Sequence, residues 1–246
     1  MELATMAVCA VIAFGAFVQG LSGFGLALVS VPLLSLVIDV KLAVPIAGIF
    51  GWFVTFPTVW KMHHHVQWKT ALILFAGSLP GSFVGADLLK RLPSEVILIA
   101  MGVVLLASSI YALRAKQALF RKTSSPVTAL TGFLSGALGA SVGEPGPPVI
   151  AYTSMQPWSA DQAKSTLSLF FMLTMVGAIA GFMHQGLLTS EVWDGVTIAA
   201  PGFLIGMCLG MACYSRLHML KIDYHQLIHG FLTVIASLLI LKNVSV

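Results

Sequence analysis

Glu144 is the one charged residue among the 32 residues from Pro126 to Pro157. An ionisable side chain at membrane depth is costly to bury, and by default it marks a functional site. Two chemistries suit it. It could titrate, carrying a proton or shaping selectivity, or it could cap the free N–H groups at the start of the helical arm that follows Pro145.

Around it lie Gly136, Gly139, Ser141 and Gly143, and a matching group, Gln19, Gly20, Ser22, Gly23 and Gly25, sits in an earlier apolar run. Glycine removes the Cβ that keeps a ligand from the backbone, while Ser22, Ser141 and Gln19 offer side-chain donors. Helix N-termini at such breaks favour anions. No span carries Lys or Arg at its middle, so a bound anion must rely on neutral donors and helix dipoles. That suits a small, weakly hydrated or partly neutralised anion. These nine residues and Glu144 form the candidate substrate-binding set.

The remaining reactive types read blandly. His63, His64 and His65 are consecutive, so they cannot all face one metal from a helix, and beside Lys61 and Lys69 they fit a headgroup surface. Cys9, Cys208 and Cys213 fall in apolar segments without CxxC spacing and read as packing residues. Asp87, Asp161, Glu191 and Asp194 lie at span ends or in loops, and the five tryptophans mostly lie near span ends as interfacial anchors. No metal, cofactor or catalytic residue is expected.

The elements that must position these groups are membrane spans. The 246 residues are 58% hydrophobic and only 9% charged, against about 25% charged in a soluble domain. A net charge of +4, scattered between apolar runs, argues against nucleic acid. Met1 precedes Glu2 with no basic stretch, so the first span is expected to be retained. Six ordinary spans are expected near 42–60, 70–86, 96–113, 165–183, 195–215 and 224–241. Two runs are too long: 36 uncharged residues from Leu3 to Ile38, and the segment containing Glu144. The first would measure ~54 Å as one helix, against a ~30 Å hydrocarbon core. Each is therefore split into two helices meeting at a non-helical tip inside the membrane.

If both long runs are hairpins, Lys61, Lys69, Arg114, Lys116, Arg121, Lys122, Lys164, Arg216 and Lys221 share one face, nine of the 13 Lys and Arg. Eight simple crossings would divide them seven to six. The positive-inside rule prefers the hairpins, with both termini outside the cytoplasm. The expected fold is all-α integral membrane, with two inverted repeats, each a broken or re-entrant helical hairpin followed by three transmembrane helices. The repeats are 1–114 and 126–246, joined by a basic cytoplasmic linker at 115–125. An offset of 116 pairs Phe17 with Phe133, Gly20 with Gly136, Gly23 with Gly139 and Pro32 with Pro148. An offset of 125 pairs Gly77, Gly81 and Gly85 with Gly202, Gly206 and Gly210, and this Gly-x3-Gly spacing reads as close helix packing. Paired broken helices are the sequence pointer to a secondary transporter's binding site.

Gly20-Leu-Ser-Gly23-Phe-Gly25 with Val31-Pro32-Leu33-Leu34 resembles the N-terminal signature of the sulfite exporter TauE/SafE family, and Gly136-Ala-Leu-Gly139-Ala-Ser-Val-Gly143 with Pro148 resembles its internal repeat. The resemblance covers essentially the whole chain. It implies a bacterial inner-membrane transporter of small anions such as sulfite, sulfonates and other organosulfur or carboxylate compounds. Glu144-Pro145-Gly146-Pro147 departs from the family's small and apolar residues there, which bears on the substrate.

The expected function is alternating access by a secondary transporter for such an anion, driven by a proton or sodium gradient, with the lipid bilayer as its other partner. The oligomeric state stays open. A passive anion channel is the alternative, since both need polar backbone at depth. A membrane enzyme or redox protein finds no HExxH, CxxC or nucleophile elbow, and no Walker motif points to ATP coupling.

Overall fold

A computed structural model describes residues 2–22, 25–114 and 124–217, together with 233, 234, 236, 237, 240, 241 and 243. Gly23, most of the linker and most of the last expected span lie outside the described residues. Among the described residues the fold is all helix, without a strand: α1 (Glu2–Ser22), α2 (Leu26–Leu34), α3 (Val40–Met62), a 3-10 turn (His63–His65), α4 (Trp68–Arg91), α5 (Ser94–Arg114), α6 (Ser125–Val142), α7 (Gly146–Ser154), α8 (Ala160–Gln185) and α9 (Ser190–Leu217). Five are long and apolar enough to cross a membrane: the helical stretch from Val40, then α4, α5, α8 and α9. They outrun the uncharged runs by a few residues at each end, because Lys, Arg and Asp continue a helix while their heads reach the headgroup region.

Local chemistry sets the ends. Ser159 and Gln162 form a capping box at the start of α8, and Gly186 closes that helix with φ +68°. Asp39 accepts the Lys41 N–H at 2.7 Å and the Ser94 hydroxyl at 3.0 Å, tying the start of α3 to the start of α5.

Two compact units divide the chain, and each draws on both halves of the sequence. The first holds residues 1–50, 92–114 and 188–246. In it α1 packs on α9: a Cβ added at Gly202, Gly206 or Gly210 would collide with the backbone of Cys9, Ala13 or Phe17 respectively. Contacts that ascend together in this way mean parallel helices. Ile46 meets Gly195, and Phe50 stacks on Phe203 at 4.9 Å, so α3 also runs parallel to α9. The chain therefore turns back between α1 and α3.

The second unit holds residues 51–91 and 115–187. Here Gly77, Gly81 and Gly85 of α4 abut the carbonyls of Ala129, Phe133 and Ala137 of α6, while Gly132 and Gly136 return the contact to Leu74 and Ser78. Both Gly-x3-Gly rows thus serve close backbone approach. Thr166 accepts from the Gln67 N–H at 2.9 Å, Thr174 donates to Ser78 at 3.1 Å and Gln185 donates to Asp87 at 3.0 Å. That order makes α8 parallel to α4 and to α6. A single crossing between α6 and α8 would have made them antiparallel, so α6 and α7 form a hairpin whose ends share one side.

The hairpins are unequal. Their first arms have 21 and 18 residues and their second arms 9 each. Gly136 and Gly139, expected among the breakers, are helical; the cost of glycine in a helix, about 1 kcal/mol, is offset where its missing side chain admits a neighbour. The turns consequently fall past the centre. Gly20 abuts Gly210, near the end of the 28-residue α9, and Ala137 abuts Gly85, well into the second half of the 24-residue α4.

Candidate functional site

The first tip is built around Gly25, which precedes α2 with φ +107°, a conformation that favours glycine. The Gln19 carbonyl oxygen accepts the Leu26 N–H at 2.9 Å, so Gln19 acts here as an acceptor that secures the second arm. Gly20 faces away from the turn, against Gly210. Behind it, Gly15 lets the arms close on each other, where an added Cβ would collide with the Ser30 hydroxyl. That hydroxyl is fully buried and has no hydrogen-bond partner. The Ser22 side chain and Gly23 lie outside the described residues.

The second tip turns at Gly143, with φ +78°, and the Glu144 N–H reaches back to Leu138 O at 3.3 Å. Gly139 gives Pro145 room to fold under α6: an added Cβ would sit 2.9 Å from the Pro145 Cβ. Ser141 spends its hydroxyl proton on Ala137 O at 2.7 Å. Gly136 is remote from the turn, packed on Ser78. Thus Gly139, Ser141, Gly143 and Glu144 are gathered at this tip and Gly136 is not.

Glu144 is 1% exposed, and its Oε1 has no hydrogen-bond partner. The capping alternative is not realised. Pro145 is the N-cap of α7, and no side chain caps that helix. Pro145, Pro147 and Pro148 lack N–H groups, so the first turn of α7 retains the Gly146 N–H as its only early donor. A donor-rich second arm is therefore not found at the second tip, and at the first Gln19, expected as a donor, is the acceptor that takes up the Leu26 N–H. A carboxylate buried without a partner is costly, and a proton or a cation relieves that cost.

Sequence reasoning overlooked a set of buried hydroxyls. Ser78, Ser82, Ser135, Thr166 and Thr174 are all within 2% of full burial, in the second unit. Serine scattered through apolar runs gives no periodic signal, and only the helix packing shows these hydroxyls buried, with Thr174 bonded to Ser78 and Ser82 set beside Gly177 and Gly181. Among the described residues no three His, Cys, Asp or Glu side chains group as a metal site. His64 and His65 are exposed, while His63 sets its Nδ1 2.9 Å from Trp60 O. Trp60, Trp68 and Trp193 are exposed, as interfacial anchors would be.

No curated protein and no solved structure matches the chain. The family model described as Sulfite exporter TauE/SafE matches residues 8–240, nearly the full length. With its long apolar helices, this makes the molecule a multi-pass membrane protein of a transporter family. The chain belongs to the sulfite exporter TauE/SafE family.

Proposed function

We propose that this protein is a secondary transporter that moves a small anion, sulfite, a sulfonate or a related organosulfur or carboxylate ion, across the bacterial inner membrane by alternating access. The observation that carries the reading is the pair of helix breaks at Gly25 and Gly143, each followed by a short arm that turns back. Within a transporter family, irregular backbone between apolar helices is tolerated where it lines a path for a ligand. Donors at the first tip bind the anion. Glu144 at the second holds a coupling proton or sodium ion.

The architecture is read as two inverted repeats with re-entrant hairpins, the basic linker in the cytoplasm and both termini outside. Equivalent packing supports this: Ala13 and Phe17 receive Gly206 and Gly210, as Ala129 and Phe133 receive Gly77 and Gly81. This register lies four residues from the alignment expected for the glycine rows.

The test is uptake of labelled sulfite, thiosulfate, methanesulfonate and short carboxylates into liposomes containing the folded protein. Saturable movement of at least one sulfur anion is expected. Movement of none would contradict the reading.

A further inference from the structure

The second unit contains a cavity of about 220 Å³ remote from the turn at Gly143, at the end where α4 and α6 begin. Its volume equals about seven waters at ~30 Å³ each, enough for one small oxyanion. Its walls are rich in donors. Lys69 and Thr70 come from the first turn of α4, Ser125 opens α6, and Gln156 and Trp158 come from the segment after α7. No Asp or Glu lines it.

The floor of the cavity is already fixed. Thr128 reaches Ser124 O at 3.2 Å, and its hydroxyl and that of Tyr152, 2.9 Å apart, share a hydrogen bond. Tyr152 and Gln156 are 6% and 8% exposed, so this side of the cavity is ordered by packing. Lys69 is exposed and makes no ion pair among the described residues. Its ammonium, the Thr70 and Ser125 hydroxyls and the Trp158 indole line the same cavity, while the Gln156 amide donates to Tyr152 O. Charge-assisted donors of this kind favour an anion with several acceptor oxygens. The parallel start of α4 and α6 adds the positive ends of two helices to the same field.

We propose that this cavity is a binding site for a small sulfur oxyanion, with Lys69 as its charge partner and the side chains of Thr70, Ser125 and Trp158 as its neutral donors. Ile73 and the Trp158 ring give it an apolar wall that also accepts the carbon of a sulfonate. The site is separate from the hairpin tips; its role as the linker-side entrance rests on the transport reading.

Equilibrium binding of labelled sulfite to the full chain in phosphatidylcholine nanodiscs tests it, with methanesulfonate as competitor. Lys69→Gln should weaken binding about tenfold and Lys69→Arg by less than about threefold, since charge-assisted hydrogen bonds carry the affinity. Trp158→Phe, which removes one N–H, should weaken it several-fold. Equal affinity across wild type and all three variants would overturn the site, as would absence of sulfite binding by folded wild type. Phosphatidylglycerol headgroups share the oxyanion chemistry; binding that survives their addition supports a free ion, and binding abolished by them overturns the proposal. Transport with no Lys69-dependent binding would sink this site alone. Lys69-dependent binding without transport would sink the function proposed above and leave the site standing.

Discussion

The Gln19 side-chain oxygen accepts the Leu26 N–H at 2.9 Å, joining the end of one helix to the start of the next across the first tip. Glu144, before the corresponding short arm, makes no such bond, and its Oε1 is left alone in the protein interior. One polar residue fixes a turn, and the other is buried without a hydrogen bond at its Oε1.

Replacing Gln19 by Leu removes that acceptor and strands the N–H. A loss of about 1–2 kcal/mol is expected, as for a lost helix cap or an unmade hydrogen bond. Thermal unfolding of the purified protein in detergent should show a lower midpoint for Gln19→Leu; an unchanged midpoint would mean that the bond does not secure the tip.

Gly25→Ala and Gly143→Ala place a Cβ at φ +107° and +78°. Each should cost roughly 1–2 kcal/mol, the penalty of the left-handed region. Gly51→Ala supplies the contrast, because a Cβ there meets nothing within 4 Å. It lies inside α3 and should be neutral or stabilising by up to about 1 kcal/mol. The same unfolding assay ranks the three, and a destabilised Gly51→Ala beside a tolerated Gly143→Ala would refute the geometry.

Gly81→Val should be worse than either tip variant. Its Cβ would occupy the place of the Phe133 carbonyl, and backbone cannot move aside as a side chain can. Loss of folded protein, read by gel filtration, is expected, whereas folded and heat-stable Gly81→Val would contradict the α4–α6 contact.

The parallel run of α4, α6 and α8 makes a topological prediction. Single cysteines in place of Lys69, Ser125 and Asp161, at or near the three helix starts, should react with an impermeant thiol reagent from one side, in a background lacking Cys9, Cys208 and Cys213. A cysteine replacing Gln185, at the far end of α8, should react from the other. Labelling of positions 125 and 161 from opposite sides would replace the hairpin with a crossing.

Much of this was legible in the primary structure, and the failures have physical causes. Length arithmetic on Leu3–Ile38 and on the segment around Glu144 exposed both breaks, because a bilayer has a fixed thickness. It could not place the turns. Gly136 and Gly139 look like breakers, yet they remain helical because Ser78 and Pro145 fill the space they leave. The glycine rows announced close packing but not their register, since a row repeating every four residues matches itself after a shift of four. The proline-rich start of α7 was on view, but its effect on the N–H supply emerged only once Pro145 was seen at the cap. The cavity beside Lys69 was invisible because residues near 70, 126 and 155 meet only when α4 and α6 align.

The most direct measurement of the central claim is accumulation of labelled sulfite in sealed proteoliposomes under an imposed proton or sodium gradient, comparing wild type with Glu144→Gln. Wild type should concentrate sulfite above its external level, with a rate that saturates. Glu144→Gln, close in size but unable to ionise, should lose the gradient-driven accumulation while remaining folded. Flux that only equilibrates sulfite, rises without saturation and ignores both the gradient and Glu144→Gln would contradict the account.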